Sequence, residues 1–486
     1  MTPADQDTAF ASVDALFATE FETGRSPGLV WAVVRDGAIL HTGSLGTTVL
    51  GADVPPGVDT VQRIASMSKS FTAAAVLLLV ERGEIALDDP VSRYVPQLRQ
   101  SHSADSAPIT LRHLLTMSAG LLTDDPWGDR NEPQTPAELD AFLAGGFLTG
   151  ARPGETFEYA NLGYAVLGRV IDRVLSVDGG FRRFVLDEIA APLRMTATTY
   201  DVTLAGPALA VGHEKRAGGW EAVPPVAPGT FSAMGGLHSS ITDLARWVAG
   251  FTDAFRDPTA PHPLSAASRR EMQQSHRFIA VEAGTERAAE ATAFGYGFGL
   301  IAEHHLDHGH VAQHSGGYPG YGSHMRWHAA SGLGVIALAN GTYAAPVATS
   351  TRALRELVAA LAGSADEPAP AYPVPTTLTL VRAVTDRVAA TLAGHGPTPF
   401  TDDDLFTFNV AMDTPEPERR LQLAAERDKA GLMLVPAEGP TPKADGLGHI
   451  TWSVPAERGR YDLEIKIAPT LEPRVQQLLV RGVPEE

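Results

Sequence analysis

Hydrophobic and polar positions near the start of the chain follow the short β-rich runs of a hairpin. Residues 28–46 read GLVWAVVRDGAILHTGSLG, and the dipeptide Asp36-Gly37 between the two runs favours a tight turn. A second pair of β-rich runs, joined by a turn at Ser331-Gly332, is predicted in SHMRWHAASGLGVIALANG. Two more strands are predicted at residues 294–305 (FGYGFGLIAEHH) and 308–317 (HGHVAQHSGG). Together these runs predict one antiparallel sheet built from both ends of a domain.

Longer stretches between these strands have the spacing of helices. Helices are predicted at residues 66–82, at residues 162–175 and from Ser240 onward. Gly83 is the expected C-cap of the first helix, and Ser240 with Asp243 forms a capping pair ahead of the third. Helices packed against one antiparallel sheet make an α+β domain.

A proline-rich stretch, GSADEPAPAYPVP at residues 363–375, is the predicted linker. It separates a domain at residues 1–362 from a smaller, mixed α/β accessory domain at residues 376–486. Three roles are open for this accessory domain: it is a packing accessory, it caps the active-site mouth, or it mediates dimerisation. Its predicted elements are helices at 378–392 and 417–429 and strands at 405–410, 461–467 and 475–480.

Composition and charge narrow the classes of function. The chain has 57 acidic and 38 basic residues and a formal net charge of −19, which argues against nucleic acid or an anionic membrane surface as a partner. It has no cysteine, which excludes thiol nucleophiles and cysteine-rich metal sites. The N-terminal residues show no continuous apolar run, and no segment approaches the roughly 18 apolar residues of a membrane span. We therefore expect a soluble, cytoplasmic protein.

The strongest chemical signal is Ser66-Met67-Ser68-Lys69, which opens an apolar helix. Residues three apart lie nearly one helical turn apart, so the Ser66 hydroxyl and the Lys69 amine are expected within reach of each other. An amine desolvated by apolar surroundings can accept the serine proton, and a helix N-terminus favours a developing oxyanion. The alternative is an N-cap serine followed by a solvated lysine. Of the five lysines, Lys69 alone has a serine three positions earlier.

A second candidate group is Tyr159-Ala160-Asn161, which precedes the helix predicted at 162–175. A phenol beside a lysine ammonium can have its ionised form stabilised, which would make Tyr159 a second proton carrier. The Asn161 amide can bond both Lys69 and a substrate carbonyl. A half-buried core tyrosine and an N-cap asparagine are the alternative interpretation.

The third group, His314-Ser315-Gly316-Gly317, ends a predicted strand. A histidine there can donate to a substrate carbonyl or relay a proton, and the glycines let an acyl group lie close to the strand. The Gly317 N–H is a candidate oxyanion donor beside that of Ser66.

Several other residues near this strand raise the question of a metal site. They are His304, His305, His308, His310, His324 and His328, with the carboxylates Glu303 and Asp307. Strand alternation should scatter these side chains over both faces of the sheet, so we predict no metal. Two further matches to the third pattern, His41-Thr42-Gly43 and Lys429-Ala430-Gly431, lie in the early hairpin and beyond the linker and are not favoured.

In this order, S-x-x-K, Y-x-N and H-x-G resemble the serine β-lactamase and penicillin-binding-protein superfamily. Residues 10–360 look like its class C branch, which includes DD-peptidases, D-aminopeptidases and esterases. The resemblance implies a β-lactamase/transpeptidase-like domain in which Ser66 is acylated, Lys69 and Tyr159 move its proton, and Asn161 orients substrate. Ser66 and Gly317 would form the oxyanion hole, with Ser315 and Gly316 along the substrate.

His314 stands where β-lactamases of this branch carry lysine, so a fixed charge for an antibiotic's carboxylate is missing. The resemblance therefore implies a cofactor-independent hydrolase of small D-amino-acid amides, short peptides or esters. The alternatives are a broad esterase, a weak β-lactamase and a non-catalytic sensor or scaffold. The substrate is expected to be a small molecule or short peptide, and homo-oligomers remain open.

Overall fold

The computed structural model describes residues 3–98, 107–176, 180–285, 291–361, 377–394, 405–446, 448–469 and 473–485. The chain divides into two compact units, Met1–Ala365 and Asp366–Glu486. The linker predicted at 363–375 lies outside the described residues. None of the helices in these described ranges is long and apolar enough to cross a bilayer. The cytoplasmic location stays a prediction.

The first unit combines helices with one large sheet. Its helices are α1 (Pro3–Glu22), α2 (Ser68–Glu81), α3 (Leu111–Leu115), α4 (Trp127–Arg130), α5 (Pro136–Gly145), α6 (Asn161–Val174), α7 (Gly180–Val185), α8 (Ser232–Gly235), α9 (Ile241–Arg256), α10 (Ala266–Met272) and α11 (Val347–Leu361). Its strands are β1 (Gly28–Arg35), β2 (Ala38–Gly46), β3 (Gln62–Arg63), β4 (Gly212–Arg216), β5 (Gly219–Val223), β6 (His238–Ser239), β7 (Arg277–Glu282), β8 (Thr292–Tyr296), β9 (Ile301–His305), β10 (Gly309–Tyr318), β11 (Tyr321–His328) and β12 (Leu333–Ala339).

Eight of these strands form an antiparallel sheet in the order β2-β1-β12-β11-β10-β9-β8-β7. The N-terminal hairpin therefore lies beside the last strand of the unit, with Leu29 opposite Ala339. One face of the sheet packs on α1 and α11, and the other contributes to a core shared with α2, α6 and α9. The predicted α+β fold, with one antiparallel sheet built from both ends of the domain, is confirmed.

The stretch predicted as one strand at 294–305 is instead two strands, β8 and β9. The chain turns between them at Gly299, whose φ is +69°. A Cβ at Gly299 would lie 2.6 Å from the carbonyl oxygen of Lys69, so only glycine fits this turn against the helix that carries the lysine. The apolar run hides the break because both strands are largely buried. Strand β7 was not predicted.

Helix α2 is buried along nearly its whole length, and its polar side chains are all bonded. Ser68 Oγ accepts from the Leu237 amide at 3.1 Å, and Thr72 donates to the Ala233 carbonyl at 2.6 Å. Ser70 Oγ accepts from Trp247 Nε1 at 3.0 Å. These bonds satisfy hydroxyl groups that would otherwise be costly to bury, and they fix α2 against α8 and α9.

A buried ion pair lies just ahead of the candidate nucleophile. Arg63 pairs with Glu132, with side chains only 3% and 1% exposed, and Glu132 also accepts from Ser232 Oγ at 2.9 Å. The Arg63 guanidinium donates to the Gly235 carbonyl and lies 3.5 Å from the ring centroid of Tyr318. The pair thus joins β3, α8 and β10.

We expect Arg63→Met to lower the free energy of unfolding by about 3–5 kcal/mol, because it leaves the Glu132 carboxylate buried without a partner. Urea denaturation of the purified protein measures this change. Arg112→Met is the matched control, since Arg112 pairs with Asp88 at the surface, and it should cost about 1 kcal/mol or less. Equal losses in the two variants would contradict the prediction.

The second unit is a four-stranded antiparallel sheet with three described helices. Its elements are α12 (Thr377–Leu392), α13 (Phe408–Asp413), α14 (Glu416–Ala430), β13 (Lys443–Gly446), β14 (His449–Ala456), β15 (Gly459–Ile467) and β16 (Val475–Pro484). The helices predicted at 378–392 and 417–429 and the strands at 461–467 and 475–480 are confirmed. The strand predicted at 405–410 is wrong: Phe406 makes a single bridge to Val475, and α13 follows.

Candidate active site

Ser66 lies in a short 3₁₀ turn, Ala65–Met67, rather than in the first turn of the predicted α-helix. Helix α2 follows directly and carries Lys69. The three-residue spacing nevertheless brings the two side chains together, with Lys69 Nζ 2.9 Å from Ser66 Oγ. Ala65 has a φ of +46°, an uncommon backbone conformation for a residue with a Cβ, immediately before the serine.

Lys69 is completely buried, and all three of its N–H donors have acceptors. Besides Ser66 Oγ, Nζ donates to Asn161 Oδ1 at 2.7 Å and to the Met234 carbonyl at 2.8 Å. Burial lowers the pKa of Lys69 to about 8, although the nearby carboxylates of Asp125, Asp124 and Asp129 oppose the shift. An amine with this pKa is partly neutral close to physiological pH, as a proton acceptor requires.

Tyr159 lies beside both Ser66 and Lys69. Its ring centroid is 4.9 Å from Lys69 Nζ and 6.3 Å from the His314 ring, and its hydroxyl shares a hydrogen bond with Ser66. The role of Tyr159 as a second proton carrier stays a prediction. Burial raises the pKa of Tyr159 well above its usual value and outweighs the hydrogen bond from Ser66, so the phenol stays protonated.

Asn161 begins helix α6, and its amide is engaged on both sides. Its Oδ1 accepts from Lys69, and its Nδ2 donates to Asp125 Oδ1 at 2.5 Å. The backbone amides of Asn161 and Leu162 both donate to the carboxylate of Asp124 at 2.7 Å, which caps α6 from a neighbouring loop. Asn161 is therefore a rigid link between the lysine and an acidic loop.

His314 lies on β10, 3% exposed, with Nε2 3.2 Å from the Tyr296 hydroxyl and Nδ1 2.6 Å from the Ser315 carbonyl. Burial, aided by the charge of Lys69, lowers its pKa to about 3. The imidazole is therefore neutral near pH 7 and offers no fixed positive charge to a substrate.

The end of β10 forms an open strand edge beside the nucleophile. Strand β11 pairs with β10 as far as Tyr318, whereas β9 pairs with it only as far as Gln313. A Cβ at Gly316 would lie 2.2 Å from the Ile64 carbonyl oxygen and 3.1 Å from Ala65 Cβ, so the strand passes directly against the turn that carries Ser66. Ser315 and Gly317 are half-buried on this same stretch.

We expect Gly316→Ala to reduce the acylation rate by about 10²-fold, because the added methyl group would push the Ser66 turn away from β10. Stopped-flow labelling with a fluorophosphonate probe measures this rate. Gly145→Ala is the control, since a Cβ there would contact nothing within 4 Å. A normal rate in Gly316→Ala would contradict the close approach.

The other histidines and the lysine considered in the sequence analysis make contacts elsewhere in the fold. His41 is on β2, where Nε2 lies 2.8 Å from Asp14, and Lys429 belongs to the second unit and pairs with Glu426. His304 stacks on His310, with ring centroids 5.1 Å apart, and His305 stacks on His308 at 4.1 Å.

One group among the described residues, His305, Asp307 and His308, has potential ligand atoms within 4.8 Å of one another. Both ring nitrogens of His305 already have protein partners, Glu303 at 2.9 Å and Thr292 at 3.0 Å. We therefore assign no metal role to this group.

Several residues of the site escaped the sequence analysis. The Met234 carbonyl has no sequence signature, and Asp124, Asp125 and Asp129 reach Lys69 only through folding of the loop before α5. Tyr343 follows β12; its ring lies against Gly317, and its hydroxyl donates to Asp129 Oδ2 at 2.7 Å. The sequence around Asp124 and Asp125 is rich in polar residues, so these two acids gave no distinct signal.

Comparisons with known proteins identify relatives of this chain. The chain is 25% identical over 335 residues to protein flp of Staphylococcus aureus strain MW2, and the alignment covers 68% of this chain and 62% of flp. It is 41% identical over 131 residues to esterase EstB of Burkholderia gladioli, covering 25% of this chain and 33% of EstB. The chain thus spans less than two thirds of the length of these relatives.

A solved structure, the octameric penicillin-binding protein homologue from Pyrococcus abyssi, superposes with a TM-score of 0.62. It is 22% identical and covers 97% of this chain and 95% of its own, a likeness that shows the fold. The resemblance to the superfamily is confirmed, while the class C branch stays a prediction. A family model described as Beta-lactamase matches residues 13–360, well over half of the sequence, and the chain therefore belongs to the beta-lactamase family.

Proposed function

We propose that this chain is a serine hydrolase that cleaves small amides, short peptides containing D-amino acids, or esters through an acyl-enzyme on Ser66. The observation that carries this proposal is the 2.9 Å distance between Lys69 Nζ and Ser66 Oγ in a buried site. A lysine held against a serine in this way can activate the hydroxyl for attack on a carbonyl carbon.

In the acylation step, the Ser66 oxygen forms a bond to the substrate carbonyl carbon while its proton passes to neutral Lys69. When the tetrahedral intermediate collapses, the bond between its carbon and the leaving group breaks, and Tyr159, protonated at rest, would donate its proton to the leaving amine or alkoxide. Lys69 then passes the proton that it took from Ser66 to the Tyr159 oxygen. The N–H groups of Ser66 and Gly317 would stabilise the oxyanion of the tetrahedral intermediate. Water then adds to the ester carbonyl and releases the acid.

The electrostatics of the site favour neutral or cationic substrates. His314 is neutral, and three aspartates lie close enough to act on Lys69. A substrate carboxylate would find no fixed positive charge on β10, so we propose that penicillins are poor substrates. The second candidate is a broad-tolerance esterase, which the similarity to esterase EstB over 131 residues favours.

A substrate panel separates these functions. D-Alanine p-nitroanilide, its L-enantiomer, p-nitrophenyl butyrate and nitrocefin should be compared by kcat/KM at pH 7. Preference for the D-anilide supports the aminopeptidase-type function, and preference for butyrate supports the esterase. If none is hydrolysed and a fluorophosphonate does not label Ser66, the proposal of a serine hydrolase is wrong. Size-exclusion chromatography with light scattering tests the proposal of a homo-oligomer, which the octameric fold neighbour motivates.

We expect kcat/KM to rise with pH, to reach half of its plateau near pH 8 and to level off about one pH unit higher. Neutral Lys69 is the proton acceptor, and its neutral fraction grows as the pH passes through its lowered pKa of about 8. p-Nitrophenyl butyrate has no group that titrates in this range, so a profile measured with this ester reports the titration of the enzyme alone. A rate that falls between pH 7 and pH 8 would contradict this role of Lys69.

A further inference from the structure

Asp125 lies at the end of a hydrogen-bond chain that begins at the nucleophile. Lys69 Nζ donates to Ser66 Oγ at 2.9 Å and to Asn161 Oδ1 at 2.7 Å, and Asn161 Nδ2 donates to Asp125 Oδ1 at 2.5 Å. Lys69 and Asn161 are buried, whereas Asp125 is exposed. The chain of bonds therefore ends in a solvent-exposed carboxylate.

The carboxylate of Asp125 is exposed to solvent, unlike the carboxylates of Asp124 and Asp129. Asp124 is bonded to the first two backbone amides of α6, and Asp129 is 5% exposed and bonded to Tyr343. Asp125 makes no ion pair with any described residue, and its side chain bonds only to a neutral amide. Apart from the buried ammonium of Lys69, no described cation is paired with its negative charge.

The separation of Ser66 and Asp125 can be compared with the span of an aminoacyl substrate. The links through Lys69 and Asn161 limit the separation of Ser66 Oγ and Asp125 Oδ1 to about 10 Å. In an aminoacyl substrate, the ammonium nitrogen lies about 2.5 Å from the carbonyl carbon. An attack distance of about 3 Å and an ammonium–carboxylate bond of about 2.8 Å bring the total span to about 8 Å. Simultaneous contact of such a substrate with both residues therefore requires Ser66 Oγ and Asp125 Oδ1 to lie about 8 Å apart or less, a separation inside the limit set by the bonded links.

We propose that Asp125 is a specificity-determining residue that binds the α-ammonium group of aminoacyl amides and esters. This inference rests on the proposed acyl-enzyme at Ser66. The carboxylate attracts a cationic amine and repels the carbonyl oxygen of an N-acyl group or a substrate carboxylate. Because Asp125 and Lys69 occupy the Asn161 amide, that amide is less free to bind an N-acyl carbonyl. The site thus selects substrates with a free amino group.

The test compares D-alanine p-nitroanilide with N-acetyl-D-alanine p-nitroanilide, with p-nitrophenyl butyrate as a substrate without an amine. Asp125→Asn removes the charge but keeps an oxygen that can accept from Asn161. We expect kcat/KM for the free-amine anilide to fall about 10- to 100-fold relative to the other two substrates, the usual effect of losing a charged hydrogen bond. Asp125→Glu should restore much of the preference.

Asp129→Asn is the matched control, because it removes a charge that also acts on Lys69 but is buried and bonded to Tyr343. It should change all three substrates by a common factor. A common factor in Asp125→Asn as well, or a wild-type preference for the N-acetyl anilide, would overturn the inference while leaving Ser66 chemistry intact. Failure of the wild type on every substrate, without labelling of Ser66, would overturn the proposed function itself.

Discussion

Ser66→Ala should lower kcat/KM by about 10⁴-fold or more and abolish covalent labelling by a fluorophosphonate or a penicillin probe. The variant removes the only atom that can bond to the substrate carbonyl in the proposed mechanism. The remaining groups, Lys69, Tyr159 and the backbone N–H donors, still surround the substrate but cannot form the acyl-enzyme. Intact mass spectrometry after exposure to the probe measures the adduct, and initial rates with p-nitrophenyl butyrate measure turnover.

The structure provides controls for this result. Ser66 Oγ is small, and its loss leaves the buried contacts of Met67 and Ala65 in place, so the melting temperature should change little. Ser453→Ala, at an exposed position in the second unit, should keep both rate and labelling. Labelling that persists in Ser66→Ala would remove Ser66 from the mechanism, whatever the rate.

Lys69→Met should lower kcat by about 10²-fold or more and remove the rise in rate around pH 8. Methionine has nearly the same length and suits a buried position, but it has no proton acceptor. Lys69→Arg should be equally slow, because a guanidinium stays protonated at any usable pH. The pH–rate profile of each variant, measured with an ester substrate, checks both statements.

Lys215→Met is the matched control, since Lys215 is exposed on β4, and its rate and pH profile should equal those of the wild type. Lys69→Met leaves Asn161 Oδ1 and the Met234 carbonyl without their donor, so the melting temperature of the variant should be measured beside its rate. If Lys69→Met retains a near-normal rate, Lys69 is not the proton acceptor, and a deprotonated Tyr159 would have to take that role.

The sequence indicated most of the site because the decisive relations are local. Ser66 and Lys69 are three residues apart, so helix geometry alone brought them together. The Asp36-Gly37 turn likewise predicted the first hairpin from a dipeptide. The motif from His314 to Gly317 could also be recognised from consecutive residues. Its position against the Ser66 turn could not, because that contact depends on the absence of a side chain at Gly316.

The errors came from long-range effects. Burial by distant segments raises the pKa of Tyr159, an effect that its neighbours in the sequence do not reveal. Asp125 reaches Asn161 only because an irregular loop folds back on helix α6, and loops carry no periodic signal. Residues 405–410 look like a strand because they alternate, but Phe406 supplies one buried anchor and the chain then turns into α13.

The pairing of β1 with β12 also bears on biosynthesis. The two strands are separated by about 300 residues, so at roughly 5–20 residues per second the ribosome needs about 15–60 s to deliver the partner after β1 has emerged. Throughout that interval one edge of a largely apolar strand lacks its neighbour, while helices α2 to α9 can already associate. Nascent chains are therefore expected to depend on chaperones until β12 is made, and fragments ending before Leu333 should aggregate.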